Sequence, residues 1–274
     1  MSSTSTAFEN SPATESAADL VTAISNWLRE RLDEGGADRF VLGLSGGIDS
    51  AVVCGLCVRA AGAERVLGVI MPSSSQPDDA ASAAKVAAAF GVATQTVDLT
   101  SVSDSFYAAM PAAEELTSAT GDVFEKRHQL AVANVRPRLR MTTLYYVANL
   151  TNGIVVGTGN KSEAMIGYFT KYGDGGVDLF PIIDLYKHEV REVARELGVP
   201  ESVIERPPSA GLWAGQTDED EIGMTYDDLD RTLVAIESGD TSDIDPATLL
   251  RVSELVTRTN HKRIPVPRYL RNTQ

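Results

Sequence analysis

The chain has 274 residues, 43% of them hydrophobic, and a formal net charge of −14. This length fits one large α/β domain, and the sequence holds no run of about 18 apolar residues that would predict a membrane span. Acidity of this size disfavours nucleic-acid binding, because the phosphate backbone and the protein surface repel each other. We therefore expect a cytoplasmic protein with neither a nucleic-acid nor a membrane partner.

The start of the chain and its acidity allow two further expectations. Residues 1–16 are rich in Ser, Thr and Ala without a basic region or an apolar block, which predicts a flexible N-terminus rather than a signal peptide. Residues 17–274 are expected to form a single domain. Two explanations of the acidity remain open: a carboxylate-rich surface adapted to a high-salt cytoplasm, which is favoured, and an ordinary acidic protein.

Strands and helices alternate in the predictions for the first hundred residues. An apolar helical stripe that includes Trp27 ends at Gly35-Gly36. The predicted elements that follow are a strand at 40–44, a helix at 50–60, a strand at 66–71, a helix at 78–90 and a strand at 93–99. This order predicts a parallel sheet, in which ligands bind beyond the carboxyl ends of the strands.

The second half of the chain is expected to complete this sheet. A long helical stretch is predicted at 123–149, bent or broken near Pro137, and residues 101–122 are mixed. Further expectations are a strand at 153–157, a short fifth strand within 179–185, and helices at 188–197, 226–237 and 246–261. The polar loop 206–221 has the length of either a lid or a disordered segment, and our hypothesis is that it closes over a ligand. The fold class is therefore α/β, with a doubly wound, Rossmann-like parallel sheet of about five strands flanked by helices.

The turn Ser45-Gly46-Gly47-Ile48-Asp49-Ser50 joins the first strand to the following helix. Such a turn lets backbone N–H groups approach an anion at a helix N-terminus, which predicts a phosphate site. It is not a Walker A loop, because no Gly-Lys-Ser/Thr closes it. An ordinary βα turn remains the alternative, and Asp49 is either a helix cap or a metal ligand at this stage.

Two other patterns have a simple alternative reading. Cys54 and Cys57 form a C-x-x-C sequence, but they lie in an apolar helix, so we interpret them as small buried residues. Arg136, Arg138 and Arg140 lie within five residues. Such a run usually forms a solvated face, although the scarcity of basic residues here also favours binding of an anionic substrate.

Five separated segments carry a resemblance to known families. Residues 45–50 resemble the pyrophosphatase loop of the N-type ATP pyrophosphatases, whose fold is adenine nucleotide alpha-hydrolase-like. Together with it, residues 157–163, 169–176, 207–213 and 261–263 are similar to segments of the ammonia-dependent NAD synthetases. The similarity runs from about residue 17 to 270.

The resemblance implies the last step of NAD biosynthesis, catalysed by an amide-forming ligase. ATP adenylates the nicotinate carboxylate of deamido-NAD and releases pyrophosphate, and ammonia then attacks the acyl-adenylate to give NAD and AMP. Mg²⁺ is the implied cofactor and ATP a co-substrate. A homodimer is implied as well, with the stripe that contains Trp27 and the 123–150 helix as candidate interfaces. The chain shows no glutaminase domain, so ammonia is expected from solution or from a separate partner.

The resemblance also implies the site residues. Catalytic roles fall to Asp49 and Lys187, and the metal ligands are Asp49 and Glu163. ATP contacts are implied for Gly43, Leu44, Ser45, Gly46, Gly47, Ile48, Asp49, Ser50, Thr158, Lys187 and Ser209. Contacts with deamido-NAD are implied for Arg138, Lys171, Asp178, His261 and Lys262. Residues 72–76 differ from the bulkier family segment, so adenine contacts are not carried over to them.

Two rival functions are open at this stage. The first is another enzyme with the same loop, such as a GMP synthetase ATPase part or a tRNA-thiolating enzyme. The acidity and the position of both cysteines in one apolar helix disfavour the tRNA-thiolating enzyme. A non-catalytic regulator that binds adenine nucleotides would not need Glu163, the 171–178 loop or the pair His261-Lys262. The synthetase is the favoured function.

Overall fold

The computed structural model describes residues 15–73, 77–209, 217–269 and 271. Within them, four strands form a parallel sheet in the order β3-β2-β1-β4: β1 (Arg39–Gly43), β2 (Val66–Ile70), β3 (Ala93–Thr96) and β4 (Gly153–Val156). The expected flexible N-terminus lies almost wholly outside these residues. The α/β class and the parallel sheet are confirmed.

Helices surround the sheet. Their bounds are α1 (Ala17–Glu34), α2 (Ile48–Ala61), α3 (Pro77–Phe90), α4 (Thr100–Ala108), α5 (Ala113–Leu116), α6 (Gly121–Ala133), α7 (Val135–Leu150), α8 (Lys161–Ile166), α9 (Lys187–Leu197), α10 (Glu201–Ile204), α11 (Asp218–Ile222), α12 (Tyr226–Ser238) and α13 (Pro246–Arg258). Short 3₁₀ turns lie at Ala63–Arg65 and Asn260–Lys262. No helix among the described residues is long and apolar enough to cross a membrane.

Side chains alternate between the two faces of the sheet, as the pleat of a strand requires. On β1, Phe40 and Leu42 join the larger core cluster under α1, α2, α3 and α9, while Val41 joins a second cluster under α7. On β4, Val156 and Val155 divide in the same way. Because helices cover both faces, the sheet is doubly wound, as predicted.

The fifth strand is reduced to a single bridge. Leu179 forms an isolated parallel bridge with Val156, and the Gly157 N–H donates to the Leu179 carbonyl at 2.8 Å. Residues 181–184 form turns instead. The predicted count of about five strands is therefore one too high within the described residues, because only one residue of this apolar segment pairs with β4.

The predicted long helix at 123–149 is two helices. The break falls at Asn134, between α6 and α7, and Pro137 occupies the third position of α7. A proline fits in a first turn because the N–H groups there have no partner inside the helix. The expected bend or break is thus confirmed, three residues before the proline.

A third cluster packs α8, α12 and α13 against one another, with Tyr226, Leu229 and Leu233 at its centre. It lies beside the start of α9, since Tyr186 belongs to it. This cluster supports the loops that follow β4. Strand β1 lies between β2 and β4, so the strand order reverses at β1. Ligands commonly bind in the crevice that such a reversal leaves at the carboxyl ends of the strands.

Candidate functional site

A cavity of about 1040 Å³ opens at the carboxyl ends of β1, β2 and β4. Its volume matches the upper end of the range for small-molecule sites. Most of the predicted site residues line it: Gly43, Leu44, Ser45, Gly47, Ile48, Asp49, Ser50, Thr158, Glu163, Lys187, Ser209, His261 and Lys262. Residues from five separate parts of the chain therefore converge on one space.

The glycine loop is held in shape by two serines. Ser50 Oγ donates to the Gly47 carbonyl at 2.9 Å, and the Gly47 N–H donates to Ser45 Oγ at 3.2 Å. Gly46 has a φ of +83°, and a Cβ there would lie 2.6 Å from the Asp79 carbonyl oxygen. Only glycine fits such a position, because the left-handed conformation and the close approach of α3 both exclude a side chain.

Asp49 is not a helix cap. The N-cap of α2 is Gly47, which offers no side chain, and Asp49 occupies the second position of the helix. Its Oδ1 accepts a hydrogen bond from Asn160 Nδ2 at 3.0 Å, and its Oδ2 accepts one from Lys187 Nζ at 2.6 Å. The choice left open by the sequence is therefore decided against capping, since both oxygens point towards the loops after β4.

Lys187 joins the two acidic residues of the site. Its Nζ lies 2.6 Å from Oδ2 of Asp49 and 3.3 Å from Oε1 of Glu163, and 4.8 Å from the ring centre of Tyr226. The lysine side chain is 1% exposed, whereas the two carboxylates are 20% and 17% exposed. The arrangement is a buried ammonium with two acidic partners that reach the edge of the cavity.

The surroundings keep Lys187 charged. Burial alone would lower the pKa of Lys187, but the negative charges of Asp49 and Glu163 raise it above its ordinary value. Burial raises the pKa of Glu163, and Asp49 adds to this effect, while Lys187 opposes it. Lys187 is consequently a fixed cation at neutral pH rather than a base.

The start of α8 aligns Glu163 with Asp49. Asn160 is the N-cap of α8, and its Oδ1 accepts the Glu163 N–H at 3.0 Å while its Nδ2 donates to Asp49. The asparagine is fully buried. One amide group therefore fixes the carboxylate of Asp49 on α2 relative to the backbone of Glu163 on α8, two elements that are far apart in the sequence.

Sequence reasoning missed the groups on α11 and α12. Tyr226 OH donates to Glu163 Oε1 and to Asp218 Oδ2, both at 3.2 Å, and Tyr168 OH donates to Asp218 Oδ1 at 3.1 Å. Tyr226 and Asp218 are both buried. Tyr226 begins a helix with an apolar face, so periodicity assigns it to the core, and no local pattern shows that its hydroxyl reaches the site.

Lysine and histidine residues from two distant segments of the chain meet beside the cavity. Lys171 Nζ donates to the His261 carbonyl at 2.8 Å, and Lys262 Nζ donates to the carbonyls of Gly167 and Phe169 at 2.7 and 2.6 Å. Arg138 donates to the Lys171 carbonyl at 3.3 Å. The structure thus brings these predicted residues together, although only His261 and Lys262 line the cavity.

Asp178 lies apart from this group. Its Oδ1 accepts from Tyr145 OH and its Oδ2 accepts from the Val155 N–H, both at 2.9 Å. These bonds attach the loop to β4 and α7, and its role in binding deamido-NAD stays a prediction. Of the arginine run, Arg140 lines the cavity and its Nε donates to the Met71 carbonyl at 3.2 Å.

Ser209 lines the cavity beside the polar loop expected to act as a lid. Residues 210–216 of that loop lie outside the described residues, as do residues 74–76 of the loop after β2. At the base of the former loop the Asp218 N–H donates to the Pro208 carbonyl at 3.0 Å. Closure of the loop over a ligand stays a prediction.

Both cysteines are buried, as predicted. Burial raises the pKa of the Cys54 thiol to about 12, and burial together with its neighbour raises the pKa of Cys57 well above its ordinary value. A thiol acts as a nucleophile only as its thiolate. Neither cysteine is therefore suited to catalysis, which disfavours a thiol-dependent transfer reaction.

The donor set suits a hard divalent cation. No group of three or more His, Cys, Asp or Glu residues that could hold a metal occurs among the described residues. Mg²⁺, however, is commonly bound by one or two carboxylates completed by phosphate oxygens and water. Asp49 and Glu163 supply such a pair of carboxylates beside the glycine loop at residues 45–50. The two side chains therefore have the chemistry of Mg²⁺ ligands.

Comparison with known proteins identifies relatives across most of the chain. A family model described as NAD synthase matches residues 20–266. The NH₃-dependent NAD⁺ synthetase of Methanococcoides burtonii is 48% identical over 226 residues, which are 81% of this chain and 82% of that protein. That of Carboxydothermus hydrogenoformans is 51% identical over 212 residues, 77% of this chain and 83% of that protein.

Solved structures agree in fold. The NMN synthetase of Francisella tularensis superposes with a TM-score of 0.80 at 33% identity, covering 93% of this chain and 99% of that one. The NH₃-dependent NAD synthetase of Campylobacter jejuni, solved with a nitrate ion, gives a TM-score of 0.76 at 26% identity, covering 94% of this chain and all of that one.

Proposed function

The chain belongs to the NAD synthase family, and on that premise we propose that it joins ammonia to deamido-NAD at the expense of ATP. The products are NAD, AMP and pyrophosphate, and the enzyme is an amide-forming ligase. One observation carries the proposal: a buried ammonium, that of Lys187, lies between the carboxylates of Asp49 and Glu163 at the edge of the cavity. It adjoins a loop shaped to accept phosphate groups.

The chemistry requires activation of a carboxylate. An oxygen of the nicotinate carboxylate attacks the α-phosphorus of ATP, and the bond to pyrophosphate breaks. Ammonia then attacks the carbonyl carbon of the acyl-adenylate and AMP departs. Negative charge accumulates on the departing pyrophosphate in the first step, so fixed positive charge and N–H groups at that position lower the barrier.

We assign the leaving-group end of the reaction to the glycine loop. Residues Gly43 to Ser50 receive the ATP phosphates, helped by the N-terminus of α2. Lys187 supplies a permanent positive charge from the start of α9, and Thr158 and Ser209 complete the ATP contacts from the cavity wall. The missing Walker lysine is thereby replaced by a lysine from a distant element.

Mg²⁺ is the proposed cofactor. Asp49 and Glu163 would hold it, since both present carboxylates at the cavity edge. When bound, the ion would neutralise phosphate charge during pyrophosphate release. The protein's own part is to fix both carboxylates through Asn160 and Lys187, which orients them before any ligand arrives.

The acid substrate is assigned to a second group of residues beside the cavity. Arg138, Lys171, His261 and Lys262 cluster there through backbone carbonyls, and a dinucleotide with two phosphates needs such positive charge. Asp178 is the fifth predicted contact, although its carboxylate is used by Tyr145 and the Val155 N–H. These five assignments follow from the family resemblance and from the clustering of the first four.

We propose a homodimer formed by α6 and α7. Four large apolar side chains on these helices are more than half exposed: Val123, Leu130, Tyr146 and Leu150. By contrast, Val21, Leu28 and Leu32 of the α1 stripe are buried within the chain, and Trp27 is 36% exposed. Of the two candidate interfaces, the α6–α7 face has the larger apolar surface left over.

Salt adaptation is a separate proposal. The chain has 38 acidic against 24 basic residues, which gives it a highly carboxylated surface. If the acidity serves a high-salt cytoplasm, the thermal unfolding midpoint should rise steeply between low and molar KCl. In an ordinary acidic protein, salt would raise the thermal midpoint only by screening the repulsion between its negative charges.

The test of the proposed function is a product assay. Purified protein is incubated with ATP, Mg²⁺ and ammonium, with deamido-NAD or nicotinate mononucleotide as the acid, and NAD, NMN, AMP and pyrophosphate are quantified. We expect stoichiometric NAD and AMP with deamido-NAD. The mononucleotide arm is included because one similar structure is an NMN synthetase. Replacing ammonium by glutamine should abolish product formation, and failure of both acids would refute the proposal.

A further inference from the structure

We propose that Asp230 is a positioning residue of this reaction, which holds Lys187 and Glu163 at their observed distance through the hydroxyl of Ser162. The inference rests on the proposed function above. Asp230 lies on α12 and does not line the cavity. Its side chain bonds to Ser162 and His188, in the first turns of α8 and α9, and not to a residue assigned to substrate contact.

Asp230 is a buried carboxylate that packing alone does not explain. It is 0% exposed on the inner face of α12, among Tyr226, Leu229 and Leu233. Burying a carboxylate in such surroundings is strongly unfavourable unless hydrogen bonds compensate it. Tyr226, Leu229 and Leu233 beside it belong to a hydrophobic cluster, in which an apolar residue would be expected at this position.

Three hydrogen bonds compensate the charge, and all lead to the starts of α8 and α9. Ser162 Oγ donates to Asp230 Oδ1 at 2.5 Å, and the His188 N–H donates to Oδ2 at 3.0 Å. The imidazole Nδ1 of His188 lies 3.0 Å from the same oxygen. A negative charge at the first turn of α9 is also favoured by the helix dipole.

Ser162 connects Asp230 to Lys187 and Glu163. Its hydroxyl proton is directed to Asp230, which leaves the oxygen free to accept the N–H of Lys187 at 2.9 Å. Ser162 is also the residue immediately before Glu163. One oxygen atom therefore joins the backbone of the catalytic lysine to the segment that presents the proposed metal ligand.

The distance between the Lys187 ammonium and the Glu163 carboxylate depends on this connection through Ser162. Lys187 Nζ reaches Glu163 Oε1 at 3.3 Å only because α8 and α9 start side by side. If Asp230 ceased to hold Ser162, the two helix starts could separate, and the lysine charge would miss the departing pyrophosphate. Misplacement by about 1 Å costs up to a hundredfold in rate, in general experience.

The experiment compares Asp230→Asn and Ser162→Ala with Asp227→Asn. Asp227 is a matched control on the same helix that also bonds α9, through Arg191 at 2.8 Å, but it is 66% exposed. We expect kcat to fall about 10- to 100-fold in the first two variants, with KM for deamido-NAD changed less than about threefold. The control should stay within about twofold of wild type.

A second control separates positioning from stability. His188→Gln removes one partner of Asp230 and leaves the bonds among Asp230, Ser162 and Lys187 in place. It should lower the thermal midpoint while kcat stays within about threefold. Each variant is assayed well below its own midpoint, so that the folded fraction does not enter kcat.

Each possible outcome decides the inference. Unchanged kcat in Asp230→Asn, or an equal loss in His188→Gln, would overturn it. Should Asp230→Asn not fold, Ser162→Ala alone carries the test, since it removes a single oxygen. Lack of turnover by the wild-type protein with both acids would instead refute the proposed function, which is a distinguishable result.

Discussion

The ammonium of Lys187 lies 2.6 Å from a carboxylate oxygen of Asp49, although 138 positions of the chain separate the two residues. This pair joins the start of α2 to the start of α9 and thereby connects the first and the last strand-end loops of the site. Because Glu163 shares the same ammonium, a single buried cation holds three elements together.

Replacing Lys187 by methionine should abolish most activity. The variant keeps the length of the side chain but removes the charge that we propose faces the departing pyrophosphate, so kcat/KM should fall at least about 100-fold. Leaving Asp49 and Glu163 without their shared cation should also lower the free energy of unfolding by about 1–3 kcal/mol. Steady-state kinetics and urea unfolding measure the two effects.

Lys161 provides the matched control for that change. It also pairs with two carboxylates, Asp184 at 3.2 Å and Glu237 at 2.9 Å, but it does not line the cavity. Lys161→Met should keep kcat/KM within about threefold of wild type. An equal loss of activity in both lysine variants would contradict the specific role assigned to Lys187.

Gly46→Ala should disrupt the phosphate loop. At a φ of +83°, the added Cβ would meet the Asp79 carbonyl oxygen at 2.6 Å, so the loop must shift away from α3. We expect a loss of more than about 2 kcal/mol in stability and a rise in the KM for ATP. Gly239→Ala is the control, because its φ is +78° with open space around it, and it should cost only about 1 kcal/mol.

Glu163→Gln should change the response to Mg²⁺. The amide keeps the shape of the side chain and its bond to Tyr226, but it removes one of two carboxylates available to the ion. The Mg²⁺ concentration for half-maximal activity should rise at least about tenfold. Glu237→Gln, which alters an acid paired with Lys161 outside the cavity, should leave it unchanged. Identical Mg²⁺ titrations of all three proteins would refute the metal assignment.

The stability contributed by His188 should depend on pH. Burial acts to lower the pKa of His188, but the hydrogen bond and the charge of Asp230 outweigh it, so the pKa is raised above its ordinary value of 6.5. A raised pKa means that the charged histidine stabilises the fold below about pH 6.5, and that this contribution is lost as the pH rises through the folded-state value.

The measurement compares urea unfolding of wild type and His188→Gln over about pH 5.5 to about pH 9. The difference in unfolding free energy should be largest at the acidic end and shrink towards the alkaline end. A difference that grows with pH would show that the His188–Asp230 pair is not an ion pair in the folded protein.

Charged residues on the α6–α7 face should dissociate the proposed dimer. Leu130 and Leu150 are 62% and 69% exposed, and changing each to Asp places charges where an apolar contact is expected. Light scattering after gel filtration should show a dimer for wild type and a monomer for the double variant. Leu250→Asp is the control, since Leu250 is 61% exposed on α13 and should leave the mass unchanged.

Much of the fold was readable from local pattern. The apolar runs of β1, β2 and β4, and the glycines that end α1 and α9, fixed the order of elements, because hydrophobic periodicity and backbone freedom act over a few residues. The phosphate-type loop was readable for the same reason, since Ser45, Gly47 and Ser50 are hydrogen-bonded to one another within six positions. The fifth strand was overestimated because pairing depends on a neighbour, which an apolar segment does not reveal.

The site was only partly determined by the sequence. Asp49, Glu163 and Lys187 lie in separate segments of the chain, and the resemblance named them without giving their distances. Tertiary structure alone decided that Asp49 is not a cap, that Tyr226 and Asp218 extend the acidic group, and that Asp230 holds Ser162. These relationships join residues 8 to 138 positions apart. Hydrogen bonds and charges act over a few ångströms in space, so their partners are set by how helices pack on the sheet and not by spacing along the chain.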